Sequence, residues 1–193
     1  MANFVLRVLE GLFGKKSDKD IKAIMPLVNK INEIYPNLAS ISNDALRART
    51  QEFRERIAAY LADVDNDIEV LQERANSLPN TDIAAKETLY AQIDKRRKDR
   101  DQQLEVILLD LLPEAFATVR ETARRFKENE TLRATATPLD RELAAKLPHI
   151  VIEGDEVIYS NSWLAAGNTI KWDMVHYDVQ LIGGIVLHQG KIA

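Results

Sequence analysis

Apolar residues recur with a helical period through most of the chain, starting at the first turn. Phe4, Val5, Val8, Leu9, Leu12 and Phe13 cover about half a helical circumference at ~100° per residue, with Arg7, Glu10 and Gly11 opposite. The pattern predicts an amphipathic helix over 3–13 that Gly14 ends, followed by Lys15, Lys16, Lys19 and Lys22. Ser17 and Asp20 resemble a capping box for a second helix to about Ile34, kinked at Pro26 and stopped by Pro36. Ser42 caps a third helix to about Leu61 that buries Leu46, Phe53 and Ile57.

Beyond that point the pattern predicts a helical hairpin, 64–76 and 82–112, around the turn SLPNT. The charged middle of its second arm reads as a solvated face. Pro113 suits the first turn of a further helix, PEAFATVRETARRFK, with Phe116, Val119, Ala123 and Phe126 as one apolar stripe. After a polar link, Thr137-Pro138 opens a short helix that Pro148 ends. HIVIEGDEVIYS then alternates about Gly154-Asp155 as a two-residue hairpin. Residues 178–188 read as a helix and 191–193 as the first residues of a strand. The fold class expected is mainly α, a helical layer with a long helical hairpin and one small β-hairpin.

Composition narrows the function. Hydrophobic residues make up 46% and charged residues 29% of the 193, as in ordinary globular proteins, and the absence of Cys excludes disulfides and thiolate metal sites. The net charge of -4 is unevenly spread. Residues 1–60 hold 10 basic and 7 acidic groups, 61–130 hold 11 and 16, and 131–193 hold 5 and 7. The first third is therefore the part suited to an anionic surface. No strongly basic footprint marks nucleic-acid binding, since the acids of DKRRKDRD offset its basic middle. No stretch approaches the ~20 apolar residues of a transmembrane helix. Arg7 and Glu10 interrupt what would be a signal-peptide core, so a cytoplasmic location is expected.

Few constellations carry chemistry. A Gln amide sets one donor beside one acceptor, which matches adenine N7 and N6 and not the two acceptors of guanine. Met174, Tyr177 and Gln180 recur at three-residue spacing, so a helical turn would put them on one face; taken alone the signal is weak, and a surface Gln on an amphipathic helix is the better reading. Gly184 and Gly190 approach the phosphate-loop pattern, but the spacing is one too long and Ile192 stands where Ser or Thr is needed. His149, His176 and His188 lack metal-ligand spacing and read as structural. DVDNDIE (63–69) lacks the Gly and terminal Glu of an EF-hand and reads as a helix N-terminus. Trp163 and Trp172 read as parts of a small core. The N-terminal helix suits a lipid interface, with packing on a neighbouring helix as the structural alternative.

Three blocks together have a family character. HYDVQLIGG (176–184) closely resembles the Q motif of the SecA family of protein-translocation ATPases. LLPEAFATVRETARRF (111–126) resembles the helix preceding that motif, and FGKKSDKDIKAIMPLVNKINEIYPNLASISNDALRARTQEFRERI resembles the family's opening. The resemblance covers roughly 1–61, 105–127 and 174–193. It departs at 62–104 and 131–171, which intervene where the family has short links.

The resemblance implies a segmentation: 1–13 an amphipathic helix, 14–61 a helical segment, 62–104 a helical hairpin insertion, 105–130 the helix before the motor domain, 131–171 an insertion with the β-hairpin, and 172–193 the Q motif at the start of an α/β P-loop NTPase domain. It implies that Gln180 reads the adenine of ATP beside Tyr177 and Met174, with Mg²⁺ and a Gly-Lys-Thr phosphate loop supplied beyond residue 193. On that reading these 193 residues lack the phosphate loop and acidic Mg²⁺ partner, and do not hydrolyse ATP alone. It implies further that Phe4, Val5, Val8, Leu9, Leu12, Phe13, Lys15 and Lys16 approach acidic phospholipids and the SecY channel. The whole would be a peripheral protein on the cytoplasmic side of the inner membrane, driving preproteins through SecY. Apolar faces meant for missing domains would also favour homo-oligomers. The rival readings are a non-enzymatic helical scaffold with a coiled-coil-like arm, and another Q-motif NTPase such as an RNA helicase, which would need a basic groove.

Overall fold

The computed structural model describes residues 20–191. It divides into two compact units, one of residues up to Leu46 and from Phe116 onward, the other of Arg47–Ala115. The protein is mainly helical. No helix among the described residues is long and apolar enough to cross a membrane.

In the first unit, α1 spans residues 20–34 and buries Ile24, Val28 and Ile31, an i, i+4, i+7 stripe. A 3-10 turn, Tyr35–Leu38, follows at Pro36. Helix α2 (Asn43–Ser77) starts where Ser42 Oγ accepts from Ala45 N–H at 3.1 Å, as expected of an N-cap. The second long helix, α3 (Ile83–Glu128), ends in this unit.

The β region follows: β1 (Thr131–Thr135), α4 (Pro138–Ala144), β2 (Ile150–Glu153), β3 (Glu156–Ser160), β4 (Ser162–Ala165) and β5 (Asn168–Lys171). Strands β1, β3 and β2 form an antiparallel sheet with β3 central. The expected hairpin is present, with Ile152 opposite Val157 across Gly154-Asp155 and Gly154 at φ 60°. Ala134, Ile150 and Val157 form the core beneath it, covered by Leu143, Ala144 and Tyr159. Thr137 and Asp140 cap α4 reciprocally, and the Tyr159 hydroxyl donates to the buried Asp140 carboxylate.

Strand β1 occupies what the sequence suggested was a polar link. It pairs with β3 along its length, and two side chains hold its backbone as well: Asp44 accepts from Thr135 N–H at 2.8 Å, and Asn43 Nδ2 donates to Arg133 O at 2.8 Å. β4 and β5 form a second, unexpected hairpin whose turn residues, Ala166 and Gly167, both have positive φ (49° and 81°). Trp163 and Trp172 are half-buried at its ends rather than in a closed core. Finally, α5 (Asp178–His188) matches its expected bounds.

The second unit is a helical hairpin from parts of α2 and α3. Leu61, Val64, Ala75, Ile93, Ile107, Leu111 and Leu112 are buried. Here the expected segmentation is corrected: α2 is unbroken where two helices were expected, and α3 runs through Pro113 instead of restarting there. DVDNDIE is therefore mid-helix, and Asp65 and Asp67 face partners on α3, Arg100 at 2.5 Å and Arg96 at 3.1 Å. Those pairs offset the cost of acids inside a helix. Pro113 removes one N–H donor, and the carbonyl left without it in the helical pattern belongs to Leu109.

Candidate functional site

The segment 172–188 begins extended and becomes helical at Asp178. Tyr177 is the N-cap of α5, with extended backbone (φ -82°, ψ 161°), so its N–H has no partner within the helix. Gln180, at the third helical position, supplies one: Oε1 accepts from Tyr177 N–H at 2.8 Å. The same amide turns its Nε2 toward Met174 Sδ at 3.8 Å. Helical spacing is thus not what assembles Met174, Tyr177 and Gln180, since two of the three precede the helix. The cap does it.

This arrangement fixes which end of the amide is which. A backbone N–H accepts nothing, so Oε1 must face it and Nε2 must face away. Oε1 keeps a second lone pair and Nε2 a second hydrogen, which together form a donor–acceptor edge. Gln180 is exposed, Tyr177 is 71% exposed and Met174 38%, so that edge, the ring and the thioether are all accessible. The residues present fit an adenine edge. They also rank the amide above the ring, because only the amide is held by two partners.

The first turn of α5 is anchored by residues that sequence reading missed. Asp178 accepts from Asn32 Nδ2 at 3.2 Å and lies 3.4 Å from Arg120 Nη1. Arg120 Nη1 also donates to Asn32 Oδ1 at 2.6 Å, and its guanidinium sits 4.8 Å from the Tyr35 ring centre. Burial pushes the Tyr35 phenol above its ordinary pKa, so it stays neutral beneath the cation. Asn32, Tyr35 and Arg120 are far apart in sequence and form no motif; an acid at the start of a helix was the single legible signal.

The body of α5 is set by shape. Leu181 and Ile185 are buried, and a Cβ on Gly184 would lie 2.7 Å from Phe116 Cε1. Gly184 is needed for close approach, whereas a Cβ on Gly183 meets nothing within 4 Å. Val119, expected beside Phe116 on an apolar stripe, is 58% exposed. Ala123, expected on the same stripe, is buried, and Ala117, Thr118, Glu121 and Arg125 are buried with it, so this part of α3 mixes apolar and charged side chains on its buried side.

Phe4, Val5, Val8, Leu9, Leu12, Phe13, Lys15 and Lys16 lie outside the described residues, as does most of the strand expected at 191–193. Among the described residues no group of three or more His, Asp or Glu side chains is arranged to hold a metal ion.

The family model of the SecA DEAD-like domain matches residues 9–193. The chain is 46% identical to the protein translocase subunit SecA of Parabacteroides distasonis over 182 residues, 94% of this chain and 16% of that protein. It is 47% identical to the SecA of Amoebophilus asiaticus over 189 residues, 98% of this chain and 17% of that protein. With the SecA of Phocaeicola vulgatus it shares 49% over 183 residues, 94% and 16% of the two chains. The chain thus spans 16–17% of the length of these relatives. No solved structure matches it. The matches run through both stretches that depart from the short-linked pattern, 62–104 and 131–171, so these belong to a pattern shared with relatives. The chain belongs to the SecA DEAD-like domain family.

Proposed function

We propose that these residues are part of an ATP-driven preprotein translocase of SecA type, and that Gln180 reads the adenine base of ATP, with Tyr177 and Met174 flanking it. One observation carries the reading: the Gln180 amide is oriented by Tyr177 N–H and Met174 Sδ while its remaining donor and acceptor stay exposed. Adenine offers N6–H to Oε1 and N7 to Nε2. Guanine presents O6 where N6–H is needed, and an amide locked by its cap cannot turn over to accommodate it.

On this reading the triphosphate and Mg²⁺ are held by a P-loop elsewhere in the parent protein, in the α/β motor domain that α5 helps to begin. ATP turnover there drives preproteins through the SecY channel. Gln180 selects the fuel and takes no part in bond cleavage. The test uses the full-length protein. Gln180→Ala should weaken ATP binding by roughly five- to tenfold, as expected for losing one or two hydrogen bonds, and relax discrimination against GTP. An unchanged ATP-to-GTP ratio removes the role.

The residues Phe4, Val5, Val8, Leu9, Leu12, Phe13, Lys15 and Lys16 are proposed to meet acidic phospholipid, holding the protein peripherally at the cytoplasmic face of the membrane. Their amphipathic pattern and following lysines support this. Deleting 1–13 should lower binding to vesicles rich in acidic lipid; equal binding would assign the helix to packing.

A further inference from the structure

We propose that Asn32 and Arg120 are positioning residues for Gln180, acting through Asp178; the inference rests on the adenine-reading role above. Asp178 is the first helical residue of α5 and lies within the same turn as the reading amide. The cap that orients Gln180 exists only while that turn is formed, and first turns are where helices fray. Farther along, α5 is held by Leu181, Gly184 and Ile185. Ahead of them, the side-chain ties on the turn are the Gln180 cap and the contacts of Asp178 to Asn32 at 3.2 Å and Arg120 at 3.4 Å.

Asn32 works as a relay with fixed polarity. Arg120 only donates, so it faces Asn32 Oδ1 at 2.6 Å. The Asp178 carboxylate only accepts, so it faces Nδ2. Arg120 is in turn held over the Tyr35 ring. The chain of contacts runs from the end of α1 through α3 to the start of α5. It transmits orientation rather than charge, because the Asp178–Arg120 contact itself is long and half-exposed and contributes little as an ion pair. Loss of the relay lets the first turn sample orientations in which the amide no longer meets N6 and N7 together. Binding of the base then weakens, while phosphate contacts are untouched.

The polarity supplies an isosteric test. Asn32→Asp keeps the shape but sets a carboxylate against Asp178. The reciprocal pair Asn32→Asp with Asp178→Asn restores one donor and one acceptor at each end of the relay. In the full-length protein, with ATP and GTP titrated in Mg²⁺ by calorimetry, Asn32→Asp should weaken ATP about three- to tenfold and GTP less than about twofold. The reciprocal pair should return ATP to within about twofold of the parent. In a Gln180→Ala background Asn32→Asp should have no further effect on the ATP-to-GTP ratio, because a positioning residue acts only through the group it positions. If Gln180→Ala lowers the ratio but Asn32→Asp leaves it unchanged, or the reciprocal pair restores nothing, the positioning role is overturned and adenine reading stands. If Gln180→Ala leaves the ratio unchanged, adenine reading fails and this inference falls with it. Matching thermal midpoints for Asn32→Asp and the reciprocal pair would separate orientation from loss of fold.

Discussion

Two charged networks in this protein use the same chemistry, arginine against a carboxylate, under different conditions. In the hairpin of Arg47–Ala115, Arg96 pairs with Asp67, both nearly half-exposed. Near the end of α3, Arg125 pairs with Glu121 at 2.8 Å with both side chains buried, 9% and 1% exposed. Arg125 also donates to Asn43 Oδ1, Leu38 O and Ile41 O, all within 2.9 Å, and Glu121 receives two further bonds from Arg124. The exposed pairs align two helices at little gain. The buried group closes the loop between α1 and α2 onto α3, and each member needs the others. Water decides the difference, since it compensates a lost surface partner and is missing from the interior.

The largest expected effect follows from that contrast. Arg125→Ala removes the guanidinium donor from Asn43 Oδ1, Leu38 O and Ile41 O and deprives Glu121 of one of its two arginine partners, and should cost about 3 kcal/mol in chemical denaturation, with retained Arg124 keeping the loss at the low end. A loss below about 1 kcal/mol would mean that water enters and the group is not truly interior. The same network predicts acid sensitivity. Burial alone would raise the Glu121 pKa, but hydrogen bonds and charge from Arg124 and Arg125 outweigh it and hold the carboxyl below its ordinary value of 4.5. Glu114 in the hairpin is likewise depressed: the guanidinium groups of Arg56 and Arg49 overcome its burial. A depressed carboxylate contributes stability that is fully present above pH 4.5 and is lost as pH falls through the folded value. Glu121→Gln should flatten the acid limb of the stability–pH curve below 4.5, and an unchanged limb would place the titration elsewhere.

Shape gives the intermediate effect. Gly184→Ala forces the Phe116 ring to move and should cost about 1–2 kcal/mol, while Gly183→Ala meets open space and should stabilise by about 0.5–1 kcal/mol through helix propensity. Equal shifts for the two would show that α5 does not approach α3 closely. The smallest effect belongs to the exposed pairs. Arg96→Ala should change stability by less than about 1 kcal/mol, and the change should shrink further as salt rises.

Legibility in the sequence followed the range of the interaction. The bounds of α5 and the Gly154-Asp155 hairpin were readable because each rests on contacts within a few residues. Ser42 announced α2 for the same reason. Breaks within α2 and at Pro113 were misjudged: acids and proline are local signals, but whether they end a helix depends on partners such as Arg96 and Arg100 across the hairpin. The β4–β5 turn was hidden because Ala166 adopts φ 49°, a conformation more typical of Gly or Asn. Val119 was assigned inward because an apolar stripe was assumed, while α3 in fact buries Glu121 and Arg125.

The candidate site divides in the same way. The family to which the chain belongs was legible in the sequence through three blocks in order, and the same resemblance put Met174, Tyr177 and Gln180 forward as the candidate residues. Only the tertiary structure decided how Gln180 is held: by a cap outside helical periodicity, and by Asp178 tied to Asn32 and Arg120. Spacing along a chain fixes which side chains a local turn can bring together. Which distant groups satisfy their remaining hydrogen-bonding capacity is fixed only when helices pack and water leaves.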